Sequence, residues 1–96
     1  MIRSDHEEIL DTYPERVALA KEQWRKARAD REKLEATLYL SAKNNNKDLT
    51  ATEIRAIVQA SPQRYESVLI EAAFEKIYES LLETLRVHKA DSRNYI

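Results

Sequence analysis

No glycine occurs anywhere in the 96 residues, which denies the chain the one residue that takes left-handed backbone conformations at no steric cost. Tight hairpin corners, phosphate-cradling loops and dinucleotide-binding turns are built on that freedom. What remains readily open to the chain is helix. The only two prolines, at positions 14 and 62, are its strongest breakers, so long helices are expected between them.

Through the first half, Leu10, Tyr13, Val17, Ala20, Trp24, Ala27, Arg31, Leu34, Leu38 and Ser41 recur at alternating steps of three and four. That is the stripe of a helix lying along another helix. Ser4 and Glu7 form a capping-box pattern that opens a short helix over about residues 5–11. Thr12 to Glu15 repeats the signal with Pro14 in the first turn, so a second start is expected near residue 13 and the main helix runs to about residue 43.

Asn44, Asn45 and Asn46 break it, because asparagine bonds its own backbone and tolerates left-handed conformations better than other side chains. The loop spans about residues 44–49. Thr50 and Glu53 make another capping box, starting a short helix over about 51–60 whose inner face is Leu49, Ile54, Ile57 and Val58. Ser61-Pro62 ends it and opens a last helix over about 62–90, followed by a fraying tail at 91–96. The expected fold is a single all-α domain. Two long helices form an antiparallel hairpin, short accessory helices pack at its closed end, and the whole assembles into a homo-oligomeric bundle.

On the last helix Ile70, Phe74, Ile77, Leu81 and His88 continue a three-four seam. If the chain reverses around residues 52–53, Trp24 comes level with Ile77 and Leu81, Leu34 with Ile70, and Leu38 with Ser67. A second apolar stripe, Val68, Leu69, Ala72, Tyr78, Leu82 and Leu85, exceeds what one partner helix covers. It is the expected oligomer interface.

The long helices differ in charge although the chain as a whole carries a formal −1. Residues 16–33 hold seven basic side chains against three acidic, and residues 64–83 hold five glutamates against Arg64 and Lys76. Glu71, Glu75, Glu79 and Glu83 stand four apart in a mutually repelling row that an opposing basic row would relieve. Lys21, Arg25 and Arg28 therefore have a structural reading as flanking ion pairs beside a phosphate-binding one. Arg31 falls inside the seam and calls for a paired carboxylate, with Glu71 or Glu75 at the right level.

Catalytic chemistry is poorly supplied. The chain has no cysteine, which removes disulfides and thiolate nucleophiles and fits a reducing compartment. His6 and His88 stand alone in the sequence, without Glu-x-x-His or His-Glu-x-x-His spacing, so no metal is expected. Serines and threonines sit mainly at caps, and no base accompanies them. The expectation is a non-enzyme with no cofactor and no small-molecule substrate. The start lacks the apolar core of a signal peptide and no apolar run approaches the roughly 20 residues that span a bilayer. A cytoplasmic protein without membrane contact is expected.

From about Arg28 onward the order of features resembles the phage T4-type recombination mediators. The resemblance is carried by Thr52 to Ser61, then by the long helix from Tyr65 through Leu85 with its basic end at Arg86, His88, Lys89 and Arg93. It implies a ring-like homo-oligomer that binds single-stranded DNA and contacts a recombinase and a single-strand binding protein. The near-neutral charge and the asparagine linker depart from that pattern.

Together these readings give a self-associating helical protein, with a recombination accessory as its sharpest form. Lys21, Arg25, Lys26 and Arg28, with Arg86, Lys89 and Arg93, are the candidate nucleic-acid contacts, expected to converge at the open end of the hairpin. Tyr13, Trp24 and Tyr95 are candidate stacking platforms there, with a core role as the stronger reading of Trp24. The alternatives are a protein-interaction scaffold that uses the spare stripe, and an adaptor or inhibitor that presents the glutamate row.

Overall fold

A computed structural model describes the backbone of residues 5–93 and the side chains of residues 5–90. Ser4 of the first capping box, Tyr95 and the Arg93 side chain lie outside the described residues. Three helices account for nearly all of the rest: α1 (Asp5–Asn45), α2 (Ala51–Gln59) and α3 (Pro62–Arg93). No strand occurs among the described residues.

The expected restart near residue 13 is absent, because α1 runs unbroken through Pro14. An interior proline forfeits a backbone hydrogen bond, here to the Leu10 carbonyl. Pro14 is exposed. On the inner side Leu10, Tyr13 and Val17 hold their seam positions as half-buried residues. Thr12 spends its hydroxyl inside the helix, donating to the Glu8 carbonyl at 2.7 Å, and does not cap a new start.

At its other end α1 reaches Asn45, two residues past the expected stop. Asn46 then turns the chain by accepting a hydrogen bond from the Asp48 amide on its side-chain oxygen at 3.1 Å. No residue with positive φ occurs among the described ones. Asparagine works here by bonding its backbone and not by entering the left-handed region. The Thr50–Glu53 capping box is present in both halves. Ile54 and Val58, four apart, form the buried face of α2, while Ile57 is 48% exposed and lies off that face. Pro62 is the first residue of α3, where its missing N–H costs nothing.

The chain packs as two compact units, one of residues up to 24 with 73 onward, the other of residues 25–72. In the first, α1 and α3 run antiparallel: His6 meets His88 near the helix ends, and Trp24 stacks on Tyr78 with ring centroids 5.5 Å apart and planes at 21°. Ala20 and Leu85 are its buried residues. In the second, Arg31 pairs with Glu71 and Glu35 with Arg64, so this unit too is an antiparallel pairing. It is closed by α2, which adds Ile54 and Val58 beside Ala27 as its buried residues.

The α1 seam holds as expected except at Ser41, which is exposed. The α3 seam holds at Phe74, Leu81 and His88, which are half-buried, and fails at Ile70 and Ile77. Ile70 and Ile77 are 54% and 49% exposed, so they lie off the shielded face; Trp24 stacks on Tyr78, and Leu81, expected level with it, is half-buried. The shielded residues of α3 include Arg64, Ser67, Glu71, Phe74, Tyr78, Leu81, Leu85 and His88, again at alternating steps of three and four, with Val68, Glu75, Leu82 and Thr84 half-buried beside them. Tyr78 and Leu85, expected in the surplus stripe, therefore belong to the inner seam. Glu71 joins the seam where it meets Arg31 of α1.

Candidate functional site

In the second unit the inner face is organised by charge. The Arg31 Nε donates to Glu71 Oε2, and its Nη1 donates to Glu35 Oε1 at 3.0 Å. Arg64 Nε donates to the same Glu35 oxygen at 3.0 Å. Arg28 Nε stands 3.4 Å from the other Glu71 oxygen. Each carboxylate thus serves two guanidinium groups, one of them Arg31 in both cases.

The bond to Glu71, with that to Glu35, raises the Arg31 guanidinium further above its already high range, and burial opposes this. Burial pushes the Glu35 carboxyl up, but the hydrogen bonds from Arg31 and Arg64 outweigh it and hold the group below its ordinary value. Both members stay ionised around neutrality. Glu71, one of the two carboxylates expected for Arg31, is the one that takes it. Beside this network α1, α2 and α3 enclose a groove of about 360 Å³ that includes Tyr39, Arg55, Gln59 and Arg64 in its lining.

The candidate nucleic-acid contacts divide between the units. Lys21, Arg86 and Lys89 belong to the first, the lysine at 21 half-buried and the other two exposed. Arg25, Lys26 and Arg28 belong to the second and are all exposed. Arg28 is engaged by Glu71, as the ion-pair reading of that residue expects. Among the aromatics, Tyr13 has the Arg16 guanidinium 4.5 Å over its ring, and Trp24 gives a face to Tyr78.

The apolar surface is redistributed as well. Of the six expected interface residues, Leu69 is 51% exposed and Ala72 is exposed, Val68 and Leu82 are half-buried, and Tyr78 and Leu85 face inward. The most exposed large hydrophobic side chains of α3 in the second unit are Tyr65 at 64%, Ile70 at 54% and Leu69. They lie within six residues of each other on the first turns of the helix, on its outer side.

Sequence reasoning missed the pairing of His6 with His88. Their Nδ1 atoms are 2.7 Å apart. Continuing the α1 heptad back from Leu10 by one step of four lands on His6, and His88 ends the α3 series, so a matched-seam argument would have paired them. No group of three or more His, Cys, Asp or Glu side chains able to hold a metal occurs among the described residues. No helix among them is long and apolar enough to cross a membrane. Comparison with known protein families, curated proteins and solved structures found no match to this chain.

Proposed function

We propose that this chain is a non-catalytic assembly module that works by associating with copies of itself through the outer face of α3. The observation that supports this is the thinness of the core. Among the described residues the buried apolar ones are Ala20, Ala27, Ile54, Val58 and Leu85, two of them alanines, whereas Leu19, Leu40, Ile57, Tyr65, Leu69, Ile70, Ile77 and Val87 are each about half exposed or more. Small domains with this little buried surface gain stability from oligomerisation.

Tyr65, Leu69 and Ile70 form the centre of the proposed contact. Apolar surface removed from water contributes about 25 cal/mol per Å², so covering a few hundred Å² on each subunit adds several kcal/mol. The test is the dependence of thermal unfolding on protein concentration. A chain stabilised by association melts at a higher temperature as concentration rises, and Leu69→Glu removes that dependence while leaving the helix content of the dilute protein unchanged. A melting temperature independent of concentration in the unaltered chain refutes the reading.

A second reading is favoured by the basic excess of α1 and by the exposure of the adjacent Arg25 and Lys26. In it the assembly binds single-stranded DNA, as the resemblance to recombination mediators implies, and repetition of weak basic patches in the oligomer raises avidity. A recombinase is the protein partner of that reading. Phosphate contacts weaken steeply with salt. The anisotropy of a fluorescent poly(dT) rises with the unaltered chain at low salt and falls as salt is added, and Arg25→Glu with Lys26→Glu abolishes the rise. No anisotropy change at low salt removes DNA from the account and leaves the assembly reading standing.

A further inference from the structure

His6 and His88 stand 82 positions apart in sequence, yet their Nδ1 atoms are 2.7 Å apart and their ring centroids 4.9 Å apart. Both are half-buried. A hydrogen bond between two imidazole nitrogens uses one N–H and one lone pair, so a nitrogen lone pair is directed into the gap. Imidazole nitrogen is the commonest protein ligand of transition metals, and here two imidazole nitrogens from different helices converge on one point.

We propose that His6 and His88 form a two-histidine chelate for a borderline divalent metal of the Zn²⁺, Ni²⁺ or Cu²⁺ type, which clamps the first turn of α1 to α3 within the first unit. Metal–nitrogen bonds of about 2.0–2.1 Å at a tetrahedral angle hold two nitrogens about 3.3 Å apart. The two Nδ1 atoms therefore separate by only about 0.6 Å to admit the ion in place of the shared proton. Small rotations of two partly exposed rings supply that movement.

No third His, Cys, Asp or Glu joins them among the described residues, so water completes the coordination. Two imidazoles alone set the affinity, which follows the order Cu²⁺ above Ni²⁺ and Zn²⁺. The fixed charges nearby are of both signs. On α1 the first turn carries Asp5, Glu7 and Glu8, and on α3 the neighbours in sequence are Arg86 and Lys89, both exposed. Selectivity thus rests on nitrogen coordination, and a hard cation such as Mg²⁺ gains nothing from the site.

The test is thermal unfolding of the full chain after chelator treatment, with Cu²⁺, Ni²⁺, Zn²⁺ or Mg²⁺ added separately. At tenfold the dissociation constant a ligand that holds only the folded state raises the Tm of a chain this size by at least about 5 °C. The expected result is such a rise with the first three ions, none with Mg²⁺, and its loss in His6→Ala and in His88→Ala. Paramagnetic broadening by Ni²⁺ or Cu²⁺ in the unaltered chain reports on the site without any variant, and both imidazole rings broaden together. The clamp is overturned by the absence of any Tm rise, by the same rise in the doubly substituted chain, or by broadening of one ring alone. A rise that appears only with a metal-dependent increase in molecular mass also overturns it, since the ion then bridges molecules and not helices.

Discussion

Replacing Glu71 with Gln tests the charge network at its centre. Glu71 receives the Nε of Arg31 and the approach of Arg28, and the Glu71 and Arg31 side chains keep only 13% and 20% of their exposure. Losing one partner of a fully buried pair costs about 3–5 kcal/mol, and the residual exposure of these two lowers that figure. A hydrogen bond to a charged group contributes about 1.5–3 kcal/mol, and Glu35 remains to hold the other edge of Arg31. We therefore expect Glu71→Gln to destabilise the chain by about 2 kcal/mol. Urea unfolding followed by far-ultraviolet circular dichroism reads this as a lower midpoint at unchanged slope. Changing Arg31 and Glu71 together to leucine removes the stranded charge along with its partner and restores stability to within about 1 kcal/mol of the original. A loss below about 0.5 kcal/mol in Glu71→Gln refutes the reasoning, because the pair then behaves as a solvated surface bridge.

The remaining predictions concern acid, the aromatic stack and the α2 cap. Glu35 is held below its ordinary value in the folded chain, so on acidification the unfolded chain binds the proton first. Its contribution is complete above the ordinary carboxyl value of 4.5 and is lost as pH falls through the lower folded value. The urea midpoint of the unaltered chain should therefore drop more steeply over that window than the midpoint of Glu35→Gln, and parallel curves contradict the assignment. Trp24→Ala removes one half of the stack on Tyr78 and should cost about 3 kcal/mol, the low end for a large aromatic because Trp24 is only half-buried; an unchanged urea midpoint counts against the stack. Thr50→Ala deletes the side-chain acceptor for the Glu53 amide and should cost about 1 kcal/mol, read in the same assay.

Much of the helical framework was legible because its determinants are local. The absence of glycine, the Thr50–Glu53 box and Pro62 at the start of α3 each act within one turn of chain, and each is found where the sequence puts it. Pro14 misled because its cost was weighed alone. A proline on the exposed side leaves the inner stripe intact, and a seam extending from Leu10 through Leu38 outweighs one missing backbone bond. The α3 seam was read correctly at Phe74, Leu81 and His88 and was one residue off at Ile70 and Ile77, a step that on a helix turns a side chain by about 100°. Counting apolar residues favoured Ile70 over Glu71, because a glutamate looks like an interruption when α3 is read by itself. It becomes a seam residue once α1 is seen to offer Arg31 at the matching level. The histidine pair was hidden because the α1 stripe was not carried back past Leu10 to His6; proximity across 82 residues is a property of register.

The account turns on self-association, and sedimentation equilibrium of the unaltered chain at tens of micromolar measures it directly. A mass that is a whole multiple of the 11.2 kDa chain, falling to the single-chain value in Leu69→Glu, is the predicted result. A stable 11.2 kDa species across that range contradicts the account, because a thin core and an outer apolar face would then coexist in a monomer that needs no partner copy.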